Sequence, residues 1–324
     1  MNQKLHTFIY TYRFSGLITF FGVASILTLM FLASGVFDAS RLPRSYNTQI
    51  ELIGQISMLI IMPAYLLMGL IFGQRRSLRL ALELEIAGGY QFADQIESIP
   101  GKYLLVGAIL GFAYSLLNLP DINFKALPEI ELSLAAIVFG QNVIWITAGV
   151  TLSARYHVAR SFYSAGKQVR LDIFETSNLK PFGQAGLTDA LLVVVALAIT
   201  TLQSIDAQFR LYNYITAFAV ILPAMAVLMV TPMYSLHRRI VDLKVAEIEE
   251  INAVIRSSSK DLDLEQINHL EPLLQRRERL EAIHTWPLDM SVISRLLLYF
   301  IVPPLAWLGA AFVEIVLDSL ITAS

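Results

Sequence analysis

The sequence has no cysteine. That excludes disulfides, thiolate metal sites and cysteine nucleophiles. It is also short of charge. Asp, Glu, Lys and Arg make up 15 % of its 324 residues, where a soluble domain carries about 25 %. Its net charge is −2, so it lacks the basic excess of a nucleic-acid binder. Catalytic signatures are missing as well. There is no HExxH and no GxSxG elbow. AGKQ at 165–168 lacks the upstream Gly and the Ser/Thr of a phosphate-binding loop. DLDLEQINHLE at 261–271 lacks the central Gly of a calcium loop. The five His (positions 6, 157, 237, 269 and 284) all fall outside the apolar runs, which leaves no intramembrane zinc set. The expectation is a protein that is not an enzyme, with no cofactor, no metal and no nucleic-acid partner.

What the chain does have is long apolar runs, in a composition that is 56 % hydrophobic. Uncharged stretches cover 14–37, 52–73, 103–120, 132–154, 190–205, 211–236 and 296–313. The first is too long for the core of a signal peptide, about 7–15 residues, and reads as an uncleaved span. The fifth is short and is expected to begin near Leu187, with Asp189 at the interface. Pro223 and Pro232 are expected to interrupt the sixth. A bilayer demands internally satisfied backbone bonds, and these runs are too long for barrel strands, so each reads as a helix. The fold class is all-α: a polytopic membrane protein with seven transmembrane helices and helical extensions in the cytoplasm.

Charge orients the spans. With the N-terminus inside, 20 of the 24 Lys and Arg fall on inner segments, and only Arg41, Arg44, Lys125 and Arg210 fall outside. The positive-inside rule then predicts an inner N-terminus and an outer C-terminus. Three parts follow. Residues 1–236 form a six-span region with short outer loops and cytoplasmic helical loops at 74–102 and 155–188, the latter broken at Lys180-Pro181 and Gly183. Residues 237–287 form an amphipathic cytoplasmic hairpin. Residues 288–324 form the seventh span. In the hairpin, Val241, Val245, Ile248, Ile251 and Ile255 make one apolar stripe. Leu264, Ile267, Leu270, Leu274, Leu280 and Ile283 make the second, with Pro272 a kink or restart.

Three groups of residues are candidate sites. Gly107, Gly111 and Ser115 give the third span a small face for close helix packing, most simply within the chain. Gln141 and Asn142 lie mid-span in the fourth, where buried amides need partners from another helix or a wet path. In the seventh, helical spacing puts Trp307, Ala311, Glu314 and Asp318 on one face near the outer end. These side chains are candidates for a pore lining or outer mouth, or else for hydrated interfacial groups. Arg75-Arg76, Arg238-Arg239 and Arg276-Arg277 are candidate contacts for anionic lipid or a cytoplasmic protein.

DIFETSNLKPFGQAGL at 172–187 and HTWPLDMSVISRLLLYFIVPPLAWLGAAFVE at 284–314 resemble stretches of uncharacterised bacterial polytopic inner-membrane proteins. The resemblance implies a bacterial inner membrane. Over the whole chain the layout is similar, in topology alone, to the seven-transmembrane ion channel superfamily that includes insect odorant and gustatory receptors. That likeness implies a homo-oligomeric channel or receptor-like channel, with the last helix at the centre and the span extensions as its platform. Two further readings stand beside it. One is a non-enzymatic signalling or scaffold protein that binds a partner through the hairpin. The other is a secondary transporter, against which stand the odd span count and the want of an inverted repeat or mid-membrane carboxylate.

Overall fold

The computed structural model describes residues 14–37, 49–88, 91–117, 132–171, 179–204, 211–258 and 264–286, with Ser294 and Ile301 as isolated helical positions. Its elements are α1 (Ser15–Ala33), α2 (Gln49–Gly88), α3 (Ala93–Glu97), α4 (Gly101–Leu117), α5 (Leu132–Gly166), α6 (Lys180–Thr200), α7 (Leu211–Ser258) and α8 (Leu264–Ala282). A single 3-10 turn, Thr201–Ser204, extends α6. No strand occurs among the described residues. Six stretches are long and apolar enough to cross a membrane: Ser15–Ala33, Leu52–Ile86, Ala93–Leu117, Leu132–Gly166, Lys180–Thr200 and Ala219–Ser257. The chain is a multi-pass helical membrane protein. The seventh expected span lies outside the described residues, apart from Ser294 and Ile301.

Helix lengths exceed what a bilayer needs. At 1.5 Å per residue, the 40 residues of α2, 35 of α5 and 48 of α7 reach about 60, 53 and 72 Å, against a hydrocarbon core of about 30 Å. Each must therefore project well past the membrane. Pro63 lies inside α2, and Pro223 and Pro232 inside α7. The expected interruption of the sixth run is thus corrected: α7 is one helix from its apolar run into its charged half. Proline is tolerated in such spans because neighbouring groups re-satisfy the freed carbonyls. The expected break at Lys180-Pro181 is corrected too. Pro181 sits in the first turn of α6, where its missing N–H has no intrahelical partner to lose. The fifth span runs from 180 to 200 rather than from 190 to 205. Gly183 is buried within it. Gly186 is needed there, since a Cβ would stand 2.5 Å from the Met229 carbonyl oxygen of α7.

Helices α2, α5, α6 and α7 form the centre of the bundle, with α1 laid on α2 and α4 on α5. Two apolar cores stack along them. One joins Phe31, Leu52, Ile56, Leu59, Ile137 and Ala196. The other joins Leu84, Phe92, Ile96, Phe162, Phe182 and Leu236. Because α2 begins in the first and ends in the second, successive segments alternate ends. The extensions that hold most of the basic residues meet in the second core, hereafter the collar at the basic end. Its rings pack edge to face, Phe162 lying 5.4 Å from Phe92 and 5.9 Å from Phe182. The Glu85 carboxylate accepts the backbone N–H groups of Phe92 at 2.5 Å and Ala93 at 2.6 Å, so it caps α3 from α2.

Beyond the collar, the second half of α7 pairs with α8 as an antiparallel arm. Ile251 and Leu280 are buried against Ile248, Ile255, Leu273 and Ile283. Val245 and Leu274, expected in the two stripes, are instead about half exposed; Leu273 takes the inward position. Pro272 lies within α8 without dividing it. The arm ends where it began. The Trp286 ring stacks on His237 at 4.1 Å, and His237 Nδ1 lies 3.1 Å from the Thr285 carbonyl oxygen.

Candidate functional site

The polar centre of the bundle is a layer between the two cores. Arg155, at the end of the apolar half of α5, donates from Nε to Asp189 Oδ1 of α6 at 2.6 Å. Its Nη2 donates to Ser77 Oγ of α2 at 2.7 Å. Both side chains are 1 % exposed. Gly73 gives it room, since a Cβ there would stand 3.1 Å from the guanidinium carbon, tighter than an ordinary contact. One residue on, Gln74 donates from Nε2 to the Ile96 carbonyl of α3. Arg155 Nη1 and Gln74 Oε1 are buried with no protein partner. A donor and an acceptor are thus left open in the same layer, next to an ion pair.

Asp189 was expected at the interface and Arg155 in a cytoplasmic loop; both are buried, and they tie three helices together. The signal was present in part. Arg155 closes one apolar run and Asp189 opens the next. Charges at run ends read as interfacial when each is taken alone, whereas opposite charges at the same end of adjacent runs are a pair. Gly73, one turn before Ser77, is the other half of that signal. A buried pair tolerates its desolvation only with good geometry and further hydrogen bonds, and Ser77 supplies one.

The second polar feature is the seam between α4 and α5. The only buried residues of α4 are Gly107, Gly111 and Ser115. A Cβ at Gly107 would collide with the Gly149 carbonyl, one at Gly111 with the Trp145 carbonyl, and one at Gly149 with the Gly107 carbonyl. The small face therefore serves packing within the chain. Side chains bracket it. Ser115 Oγ lies 2.6 Å from Asn142 Oδ1, and Asn142 Nδ2 donates to the Val138 carbonyl at 2.8 Å. Ser153 donates to the Tyr103 carbonyl at 2.6 Å, and the Tyr114 and Trp145 rings meet edge to face at 4.5 Å. Asn142 is thereby an interhelical bond to the third span. Gln141, its neighbour, is half-buried. The remaining candidates, Trp307, Ala311, Glu314 and Asp318, lie outside the described residues.

The basic pairs separate. Arg76 donates to Gln184 Oε1 at 3.0 Å. Arg239 donates to the carbonyls of Gly166 at 2.9 Å and Val169 at 2.8 Å, where a cation meets the negative end of the α5 dipole. Arg276 and Arg277 face the arm itself, bonding Glu247 at 3.3 Å and Asn252 at 3.1 Å. No family model, curated protein or solved structure matches the chain.

Proposed function

We propose that this chain is a non-enzymatic, homo-oligomeric channel or receptor-like channel of a bacterial inner membrane. Its seventh span lines the centre and the arm is its assembly platform. The observation that supports this reading is the continuity of α7. One helix of 48 residues joins a span to an arm that exposes Leu243, Val245, Val254 and Leu274 beyond the apolar run. An apolar surface outside the bilayer asks for a protein partner. The stack of Trp286 on His237 returns the chain to the foot of that span. On this reading Glu314 and Asp318, with Trp307 and Ala311 on the same face, form an acidic ring at the outer mouth that favours cations.

The test has two parts. Particle mass in native nanodiscs should give a cyclic oligomer, and Val245→Glu with Leu274→Glu should reduce it to smaller species. Glu314→Gln with Asp318→Asn should weaken cation selectivity in reconstituted protein, most at low salt. Monomers in nanodiscs, or no current from well-folded wild-type protein, sink the channel; unaltered currents in the Glu314→Gln with Asp318→Asn variant sink the acidic ring alone. Monomers that capture a soluble protein through the arm favour the scaffold reading. The transporter reading gains support from the buried Asp189–Arg155 pair, because intramembrane ionisable groups commonly mark transport paths. Uptake abolished by Asp189→Asn in a monomer that still folds would select it.

A further inference from the structure

We propose that the basic end carries a girdle for anionic phospholipid headgroups, built from three cation–tyrosine pairs on three helices. Lys102 Nζ of α4 lies 5.6 Å from the Tyr103 ring centre, Lys167 Nζ just past α5 lies 4.6 Å from that of Tyr163, and the Arg238 guanidinium of α7 lies 5.6 Å from that of Tyr234. All three cations are exposed. They also share a level. The Tyr103 ring packs on His157 at 4.6 Å. Tyr163 is six residues further along α5, about 9 Å at helical rise, and its carbonyl accepts a 2.7 Å bond from Ser235, the neighbour of Tyr234. A spread of about 9 Å is little more than the headgroup layer, about 5–8 Å per leaflet, so side chains of this length reach it from either edge.

Physical chemistry favours that occupant. Tyrosine settles at the membrane–water boundary because its ring is apolar and its hydroxyl is not. A cation held over a ring keeps its outer side free for a phosphate. Arg155, Arg76 and Arg239 of the same end are turned inward, to Asp189, Gln184 and the α5 carbonyls. Arg79, Arg160, Arg170 and Lys180 are exposed as well and add to the same positive surface, in which the three cation–tyrosine pairs are the part anchored on aromatic rings. Glu83 and Asp94, with Asp242 one turn past Arg238, are exposed acids of this end among the described residues, a minority beside the exposed cations. The proposal rests on the membrane-embedded reading and is independent of oligomer or pore.

The experiment uses the full chain in nanodiscs made from equal parts of phosphatidylcholine and phosphatidylglycerol. The lipids that co-purify with it are then counted by native mass spectrometry. Phosphatidylglycerol should be enriched over its bulk share. Each cation removed should lower that enrichment about fivefold, and Lys102→Gln, Lys167→Gln and Arg238→Gln together should abolish it. Arg276→Gln with Arg279→Gln, on the arm, should leave it unchanged. No enrichment in the wild type, or undiminished enrichment in the triple variant, overturns the proposal. So does competition by millimolar inorganic phosphate, which would mark a free-anion site. If the triple variant does not fold, Lys167→Glu alone must still lower enrichment. A particle that is monomeric yet enriched keeps the girdle and removes the oligomer.

Discussion

The collar and the arm are both helical and both draw on the extensions at the basic end, yet they are held in different ways. The collar draws on α2, α3, α5, α6 and α7, interlocks three phenylalanine rings and closes onto the Arg155–Asp189 layer. The arm is two neighbouring segments of chain joined by a short connection, and Ile251 and Leu280 are its buried apolar residues among those described. Burial by many segments gives cooperativity, since no one of them leaves without opening the rest. A hairpin with a thin seam can open by itself. The bundle should therefore behave as one unit with the collar, and the arm as a separable element suited to binding.

The largest effect expected from this contrast is at the polar layer. Arg155→Met leaves Asp189 buried and unpaired and should cost about 3–5 kcal/mol. In detergent the thermal midpoint should fall steeply and the whole bundle unfold together. Adding Asp189→Leu should recover much of the loss, because an apolar pair of similar volume avoids the desolvation penalty. A single variant that melts like wild type would mean that water already reaches the pair, and the collar would not be the sealed unit described.

In the arm the corresponding cut is smaller. Leu280→Ala removes half of the buried seam and should cost about 2 kcal/mol, the low end for such a change because the site can collapse. Its consequence should be local. Limited proteolysis should accelerate between 237 and 286 while the bundle's thermal midpoint stays put. A matching drop in both would join the arm to the collar as one cooperative body. Smaller again is Glu85→Ala, which uncaps α3 and should cost about 1 kcal/mol. Hydrogen exchange at Phe92 and Ala93 reads it directly.

How much of this was legible in the sequence follows the same division. The apolar runs and their caps of charge announced six helices correctly, because a bilayer makes hydrophobicity nearly synonymous with helix. The Gly107–Gly111–Ser115 face was legible because three small residues at helical spacing have few other uses in a span. Asn142 was recognised as needing a partner, but which residue supplied it required the register of α4 against α5. The collar was the least legible. Its residues come from five segments, and nothing in the local pattern of Phe92, Phe162 and Phe182 says that they meet. Arg155 and Asp189 were hidden by the positive-inside reading, which treats each charge as an anchor. Val245 and Leu274 misled in the opposite sense. Their spacing fits the arm's seam, yet the two helices meet on Ile251 and Leu280, with Leu273 inward, and leave Val245 and Leu274 about half exposed. Glu314 and Asp318 rest on helical spacing alone.

The smallest expected effect is the most informative about the arm. Arg276 lies 3.3 Å from Glu247, with side chains 55 % and 30 % exposed. For an isolated subunit such a pair is screened and must hold two long side chains in place. A double-mutant cycle of Arg276→Gln and Glu247→Gln should therefore return only about 0.2–1 kcal/mol, and less at high salt. That holds if the arm stands in water. If arms assemble around a central axis, the same pair sits beside a neighbouring subunit, water is displaced, and the coupling grows and loses its salt dependence. The cycle should be run twice, on monomers dispersed in detergent and on particles from native nanodiscs. Equal, weak, salt-sensitive coupling in both would leave the arm as a free hairpin and argue against an assembly platform. A coupling that strengthens in the nanodisc particle would place the arm at a subunit contact, and its exposed Leu243, Val245, Val254 and Leu274 would then be the apolar part of the same interface.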